Sequence, residues 1–403
     1  MRVGLVGSHQ ASVDGGLQAV DDVTSLATSL AAGGIDVVGY SRRPSAVDVG
    51  YPVVRLPAPA EAIGASSDAA LAQIVGDFAR FLLAAWGDHP PDVVSAVSWI
   101  DGVAAQLAAD HHGIPTVQAL PELARAAQRR QGRRMGSAAQ PRFERLLARS
   151  AQRVAVPCTE DLAELVSLGC ARRRLSVLPQ AVDVEHFTSV GPVAPRDSER
   201  RIVTVARELL PHKGLEDLVR TLPRLPAAEL VVVGGPDRHR LDWDAGACRL
   251  RSLALDLNVS GRLHLMGHVA REDLPSILRS ADVFAAPSWY EPFGLPVVEA
   301  MACGVPVVAS AAGGMLDTVV HEVTGLLVPA RDPTKLAKAL DAVLRAGALR
   351  NGMGLAGRVR ARSRYCWERV AAESNTIYEL AVQEARARTT VESTSRSARG
   401  DVA

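Results

Sequence analysis

No stretch of this sequence stays apolar for long. Met1-Arg2-Val3-Gly4-Leu5-Val6 gives way to Ser8, His9 and Gln10, too short a run for a signal peptide or a membrane span, so a cytoplasmic protein is expected. Neither sign of charge is in excess: 45 Lys plus Arg against 44 Asp plus Glu leave a formal +1. That balance argues against nucleic acid or a charged membrane as partner, and any anionic ligand has to be held by a local site. The five cysteines, Cys158, Cys170, Cys248, Cys303 and Cys366, form no Cys-x-x-Cys pair and have no histidine at zinc-finger spacing, so they read as buried thiols. There is no repeat at a solenoid period and no G-x-G-x-x-G, which disfavours a dinucleotide-dependent dehydrogenase.

What is present is an alternation of short apolar runs with longer amphipathic stretches, the pattern of parallel α/β units. The chain is long enough for two cores of about 180 residues each. In the first half, strands are expected at Arg2–Val6, Ile35–Tyr40, Asp92–Val97, Pro115–Ala119 and Arg153–Pro157, with a helix over Gly16–Ala32. A polar stretch with Gly and two prolines, "VEHFTSVGPVAPRDSERR", reads as a linker over 183–200. A second set of strands follows at Ile202–Ala206, Glu229–Val233, Leu263–Met266, Val283–Ala286, Pro306–Ala309 and Leu326–Val328.

The expected architecture is therefore two doubly wound, Rossmann-like α/β domains, 1–182 and 201–365, facing across a cleft. A C-terminal helix, 366–387, packs back on the first domain, and a disordered tail covers 388–403. Ligands of such sheets bind at the carboxyl ends of the strands, which puts the site between the domains.

The stretch "SWYEPFGLPVVEAMACGVPVVAS" carries the most chemistry. After the strand Val283–Ala286 comes a loop containing Glu291, then Pro296 at the start of a short helix over Val297–Ala302, closed by Gly304 and Pro306. The first turn of such a helix offers N–H groups to an anion such as a phosphate. Carboxylates beside a phosphate suit neutral hydroxyls rather than the phosphate itself, so Glu291 and Glu299 match the ribose and sugar hydroxyls of a nucleotide-sugar.

From Glu291 through Gly313-Gly314 to Val328, these residues closely resemble the retaining glycosyltransferases of family four, which have the GT-B fold. The resemblance implies that Glu291 contacts hydroxyls of the donor sugar, that Phe293, Gly294 and Leu295 lie against sugar and phosphate, and that Glu299 binds the ribose. It also implies that Arg207 and Lys213, in "VARELLPHKGL", clamp the diphosphate, an arginine able to bind it bidentately and a lysine acting as a point charge. The loop with His9, Gly15 and Gly16 is similar to the donor-facing loop of the inositol-phosphate N-acetylglucosaminyltransferase branch, and Trp367 opens a helix that crosses back to the first domain. Arg207, Lys213 and Glu291 are thus the expected catalytic residues.

The match breaks in the N-terminal half. Relatives carry histidines in segments that here read "VVSAVSWIDG" and "TVQALPEL", and Pro121 stands where one is expected. His9, Asp101 and Glu122 are the candidates on the acceptor side, although each also fits a cap or a surface charge. His111-His112 looks like a helix end capped by Gly113 rather than a metal site, and Asp242-Trp243-Asp244 lacks the strand that a metal motif needs. No metal and no cofactor are expected.

The implied activity is transfer of a hexosyl or N-acetylhexosaminyl group from a UDP- or GDP-sugar to a small molecule, with retention, in specialised-metabolite or antibiotic biosynthesis. The alternatives are a nucleotide-sugar epimerase or a sugar phosphorylase on the same scaffold, or a non-catalytic nucleotide-sugar-binding partner. A homodimer is left open.

Overall fold

The computed structural model describes residues 1–7, 21–42, 49–56, 68–87, 89–131 and 138–400. The first sheet comprises β1 (Arg2–Val6), β2 (Asp36–Ser41), β3 (Val53–Arg55), β4 (Val93–Ala96), β5 (Thr116–Ala119), β6 (Arg153–Val156) and β7 (Leu175–Val177). Its helices are α1 (Asp21–Ala32), α2 (Asp68–Trp86), α3 (Trp99–His112), α4 (Ala124–Gln131), α5 (Gln140–Ser150) and α6 (Thr159–Ser167). The strands are parallel throughout, in the order β3-β2-β1-β4-β5-β6-β7.

The second sheet holds β8 (Arg200–Val205), β9 (Ala228–Val233), β10 (Leu263–Gly267), β11 (Val283–Ala286), β12 (Val307–Ser310) and β13 (Gly325–Val328). It too is parallel, in the order β10-β9-β8-β11-β12-β13. Around it lie α7 (Leu215–Val219), α8 (Ala245–Asp256), α9 (Leu274–Arg279), α10 (Leu295–Ala302), α11 (Met315–Thr318), α12 (Pro333–Arg345) and α13 (Gly347–Arg364), and the chain ends in α14 (Trp367–Gly400).

Both sheets are two doubly wound α/β layers because their strands bury both faces. Along β8, β9, β11 and β12, Ile202, Leu230, Val232, Val283, Ala285 and Val308 point to one core, while Val203, Val231, Val233, Phe284, Val307 and Ala309 point to the other. The first sheet does the same: Val3, Leu5, Val93 and Val117 pack on α1 and α14, and Val6, Val38, Val94 and Ala96 on α2 and α3. The eleven apolar runs expected from the sequence are all strands. The three-residue β3 and β7 went unseen, being too short for a period to register.

Two chain segments cross between the lobes side by side. The Val182 N–H donates to the Tyr365 carbonyl at 2.7 Å, immediately before α14 starts back toward the first sheet. Ile377, Tyr378 and Ala381 of α14 are buried there, and Glu384 accepts from Arg153 of β6 at 2.5 Å. α14 runs on past Arg388 to Gly400, with no Pro or Gly before that residue to stop it, and the last three residues of the expected tail lie outside the described residues. Among the described residues no helix is long and apolar enough to cross a membrane.

The strand order reverses between β1 and β4 in one sheet and between β8 and β11 in the other. At such a reversal the connections leave in opposite directions and open a crevice beyond the carboxyl ends, where ligands of doubly wound sheets bind.

Candidate active site

The crevice of the second sheet is walled by the turn after β8 and the loop after β11. After β8 the chain runs through Arg207 and Glu208 into a short turn of 3-10 helix, Pro211–Lys213, which ends at Gly214 with φ 68°. A Cβ at Gly214 would stand 2.1 Å from the Pro287 carbonyl oxygen, so only a glycine in this left-handed conformation lets the turn lie against the loop after β11. The Trp289 N–H donating to the His212 carbonyl at 2.8 Å ties the two together.

Lys213 is thereby delivered to Glu291, its Nζ donating to the carboxylate at 2.8 Å with both side chains about three-quarters covered. Burial alone would push the Lys213 ammonium down, but the Glu291 carboxylate, with the charges of Glu122 and Glu208 farther off, raises it instead. Lys213 is therefore a cation through neutral pH. A pocket between β8 and β11 opens beside the pair, lined by Thr204, Ala206, Pro287, Gly294, Pro296 and Met315 among others.

Glu291 is held from behind by a second glycine. Gly313, at φ 60°, would place a Cβ 2.2 Å from the Glu291 carbonyl oxygen. That carbonyl accepts from the Gly314 N–H at 2.7 Å. The loop then enters α10 through Gly294, with Pro296 in the first turn, where its missing N–H is no loss. Phe293 is buried edge-on against Tyr365. Glu299, five residues into α10, is fully buried and accepts from Arg271 at 2.8 Å. Burial pushes its carboxyl up from the ordinary range, and the Arg271 guanidinium pulls it back. Arg271 is itself seated over the Phe187 ring, 4.9 Å from its centroid.

Of the residues expected from sequence, the structure brings Lys213 and Glu291 into contact and puts Glu299 in the helix that follows. Leu295 opens that helix. Arg207 is exposed, its carbonyl accepting from the Gly235 N–H at 3.2 Å. His9, Gly15 and Gly16 lie outside the described residues.

Asp101, a candidate on the acceptor side, takes part in the cap of α3. One of its oxygens takes Arg42 at 2.6 Å and the other the Ser98 hydroxyl at 2.7 Å, while the Ser98 Oγ accepts the Asp101 N–H at the start of α3. Glu122 is half-buried, and its charge contributes to raising Lys213 after that of Glu291. Asp244 caps α8, and Gly113, at φ 66°, caps α3 after His111-His112. Among the described residues one histidine-carboxylate cluster, Asp197, Glu229 and His264, comes together. It sits at the amino ends of the second sheet's strands, away from the cleft, and its buried Glu229 already accepts from Arg201 at 2.6 Å.

Two features escaped the sequence reading. Arg271 precedes Glu299 by 28 residues, too far for any spacing rule, and its one signal is a cation soon after a strand end. Tyr290 belongs to the donor loop by sequence, yet it is fully buried in the core of the other lobe, among Leu120, Leu123 and Leu162, with its hydroxyl on Asp161 of α6. The same helix start takes Asp317 on the Thr159 N–H and hydroxyl, at 2.8 and 2.6 Å, and its Glu160 accepts the Gly313 N–H at 2.5 Å. The loops around Glu291 are thus clasped to the first lobe.

Solved structures share this two-lobed plan. The chain superposes on sucrose-phosphate synthase from Thermosynechococcus elongatus with a TM-score of 0.77 at 26% identity, covering 94% of this chain and 98% of that one. It superposes on HepE of Anabaena, solved with UDP and glucose, with a TM-score of 0.70 at 19% identity, covering 93% and 98%. These are glycosyltransferases of the GT-B fold, and that is the fold of this chain. Residues 192–360 match the family described as Glycosyl transferases group 1, and residues 19–181 the Glycosyl transferase 4-like domain. The D-inositol 3-phosphate glycosyltransferase of Mycobacteroides abscessus is 32% identical over 324 residues, 77% of this chain and 71% of that protein. The one of Mycolicibacterium vanbaalenii is 32% identical over 352 residues, 80% and 77%. The chain belongs to glycosyltransferase family four and is a glycosyltransferase.

Proposed function

We propose that this enzyme transfers a hexosyl or N-acetylhexosaminyl group from a UDP- or GDP-sugar to a small-molecule acceptor, with retention at the anomeric carbon and without a metal ion. The observation that carries the reading is the Lys213–Glu291 pair at the crevice between β8 and β11, with Glu299 buried in the helix between that crevice and the lobe core. The ion pair is a resting arrangement. A donor diphosphate entering the pocket takes Lys213 as its counter-charge, and Glu291 is released to accept hydrogen bonds from the sugar hydroxyls. Glu299, oriented by Arg271, offers a carboxylate to the ribose. Arg207, exposed at the end of β8, adds the second cation at the leaving phosphates.

In the transfer, the bond between the anomeric carbon and the diphosphate oxygen breaks and a bond to the acceptor oxygen forms on the same face. The acceptor proton passes to the departing diphosphate, so no protein nucleophile is needed and the missing histidines are no obstacle. The named relatives act on a small phosphorylated polyol, which supports a small-molecule acceptor. A cytoplasmic role in specialised metabolism fits the same chemistry.

Calorimetry with UDP, GDP and their sugars is the test. Micromolar binding of one nucleotide that is lost in Lys213→Ala supports the reading, and the absence of any binding below millimolar for all of them sinks it. Retention is checked from the anomeric coupling constant of the product by NMR.

A further inference from the structure

At the amino ends of the second sheet's strands, opposite the crevice, three residues with metal-ligating atoms converge. Glu229 is the second residue of β9 and His264 the second of β10, while Asp197 lies in the segment that leads into β8. The strand register brings the first two together. His264 stands opposite Val231, two residues along from Glu229 and so on the same face of the sheet. Arg201 stands opposite Glu229 on the other side. One ligand atom from each of Asp197, Glu229 and His264 lies within 4.8 Å of the other two.

Glu229 is fully buried, and its two oxygens differ in what they meet. Oε1 accepts from the Arg201 Nε at 2.6 Å, and the Arg201 guanidinium donates in turn to the Ser280 hydroxyl at 3.0 Å. Among the described residues none donates a hydrogen bond to Oε2; His264 Nε2 stands 3.2 Å from it in a contact that is not a hydrogen bond. A buried carboxylate oxygen left in that state is costly, and buried charges are ordinarily paired or hold a metal. The other cations close by are committed elsewhere, Arg196 and Arg200 being turned to Asp282 at 3.0 and 3.7 Å.

We propose that Asp197, Glu229 and His264 bind a divalent cation of the zinc class, which pins the segment entering β8 to β9 and β10. Zinc takes imidazole nitrogen and carboxylate oxygen at about 2.0–2.2 Å, so neighbouring ligands of a tetrahedral ion stand about 3.3–3.5 Å apart. The 3.2 Å between His264 Nε2 and Glu229 Oε2 is close to one such edge. Asp197 is exposed, so a small turn of its side chain completes the ligand set and the fourth position opens to water. The imidazole selects zinc, cobalt or nickel over magnesium and calcium, which take oxygen ligands. Arg201 and Ser280 fix Glu229 from behind, as outer partners fix the ligands of metal sites. The role of the cation is structural: Lys213 and Glu291 lie at the carboxyl ends of the same sheet, so it takes no part in sugar transfer.

The experiment uses the full chain, stripped with EDTA and dialysed, with Zn2+ and Co2+ as probes. Zn2+ is titrated in competition with a chromophoric chelator, and one equivalent is expected to bind with a submicromolar Kd. Co2+ is expected to give the visible bands of a four-coordinate site without the near-ultraviolet thiolate band of a cysteine site. His264→Gln should weaken Zn2+ at least a hundredfold, beyond the roughly 10- to 100-fold that loss of an outer partner produces. Asp197→Asn changes an exposed position, serves if the first variant does not fold, and should weaken Zn2+ at least tenfold. Zn2+ should also raise the Tm of the wild type and leave that of His264→Gln where it was. Absence of submicromolar binding in the wild type overturns the proposal, as does a Kd that neither variant moves or a Co2+ spectrum of thiolate or six-coordinate type. UDP affinity should be equal in Zn2+ and in EDTA, and a dependence on the cation overturns the structural role.

Discussion

On the C-terminal side of the cleft the loops after β8 and β11 carry Lys213 against Glu291, and Arg271 holds Glu299 one helix behind. On the N-terminal side the equivalent position after β4 carries Asp101, closed into its own helix cap, and the loop after β5 carries Leu120 and Pro121 with Glu122 beyond. The two walls share a topology and a strand reversal, and differ in what they hold. The C-terminal wall is charged and constrained, as the nucleotide-sugar site proposed for it requires. The N-terminal wall is largely apolar at the described ends of β4 and β5, with Val97, Leu120 and Pro121 there.

The comparison is broken most directly at Lys213. Lys213→Ala removes the counter-charge to the leaving phosphates and leaves Glu291 beside them, so kcat/KM is expected to fall about 10²- to 10³-fold, the usual effect of deleting one preorganised electrostatic donor. Steady-state kinetics with the identified donor measures this, and a loss under threefold would remove Lys213 from the reaction.

A smaller effect is expected one helix further back. Glu299→Ala takes away the charge-assisted bonds proposed for the ribose and strands Arg271, which should weaken nucleotide binding about tenfold to a hundredfold by calorimetry. Arg271→Lys, which keeps the charge and loses the planar fork, is expected to fall between wild type and that variant.

Between the walls lies Tyr290. Removing its hydroxyl in Tyr290→Phe leaves one oxygen of the buried Asp161 without that donor, and about 1–3 kcal/mol of stability should disappear in urea unfolding. Small-angle scattering of the same variant should show a more open cleft, and an unchanged profile would mean that the apolar seat with the Asp317 and Glu160 bonds holds the lobes without the Tyr290 hydroxyl.

The least effect belongs to the acceptor wall's own scaffold. Glu144 of α5 accepts from the Ala124 N–H that starts α4 at 3.0 Å and from Gln140 at 2.7 Å. Burial, with the charges of Glu122 and Asp161, overrides these two bonds and pushes its carboxyl up to about 7. With the folded value above the unfolded one, the proton stabilises the fold fully below pH 4.5, and this contribution is lost as pH rises to 7, at most about 3 kcal/mol for a shift of this size. Glu144→Gln should flatten that part of the stability curve, and a slope identical to wild type would refute the assignment.

The sequence disclosed the charged wall far better than the apolar one. Short apolar runs bounded by turn residues, such as Val283–Ala286 and Val307–Ser310, read as buried parallel strands, and the Glu291-to-Glu299 stretch marks a loop and a helix start by local rules. Arg271 and Tyr290 were hidden because their partners, Glu299 and Asp161, are distant in the chain, and nothing local marks a tyrosine that leaves its own lobe. Asp101 shows a local rule at work: a Ser-x-x-Asp at a helix start forms its own cap, and the Ser98–Asp101 bonds could be read from that spacing.

The burial of Tyr290 among Leu120, Leu123 and Leu162 has a practical consequence for engineering. A chimaera joining this donor half to the acceptor half of a relative must bring a socket that fits a tyrosine and an acid to meet its hydroxyl. Without them the graft inherits a foreign pocket that never settles over the sugar, so the swap should be made with α6 and the loop before α4 as one cassette.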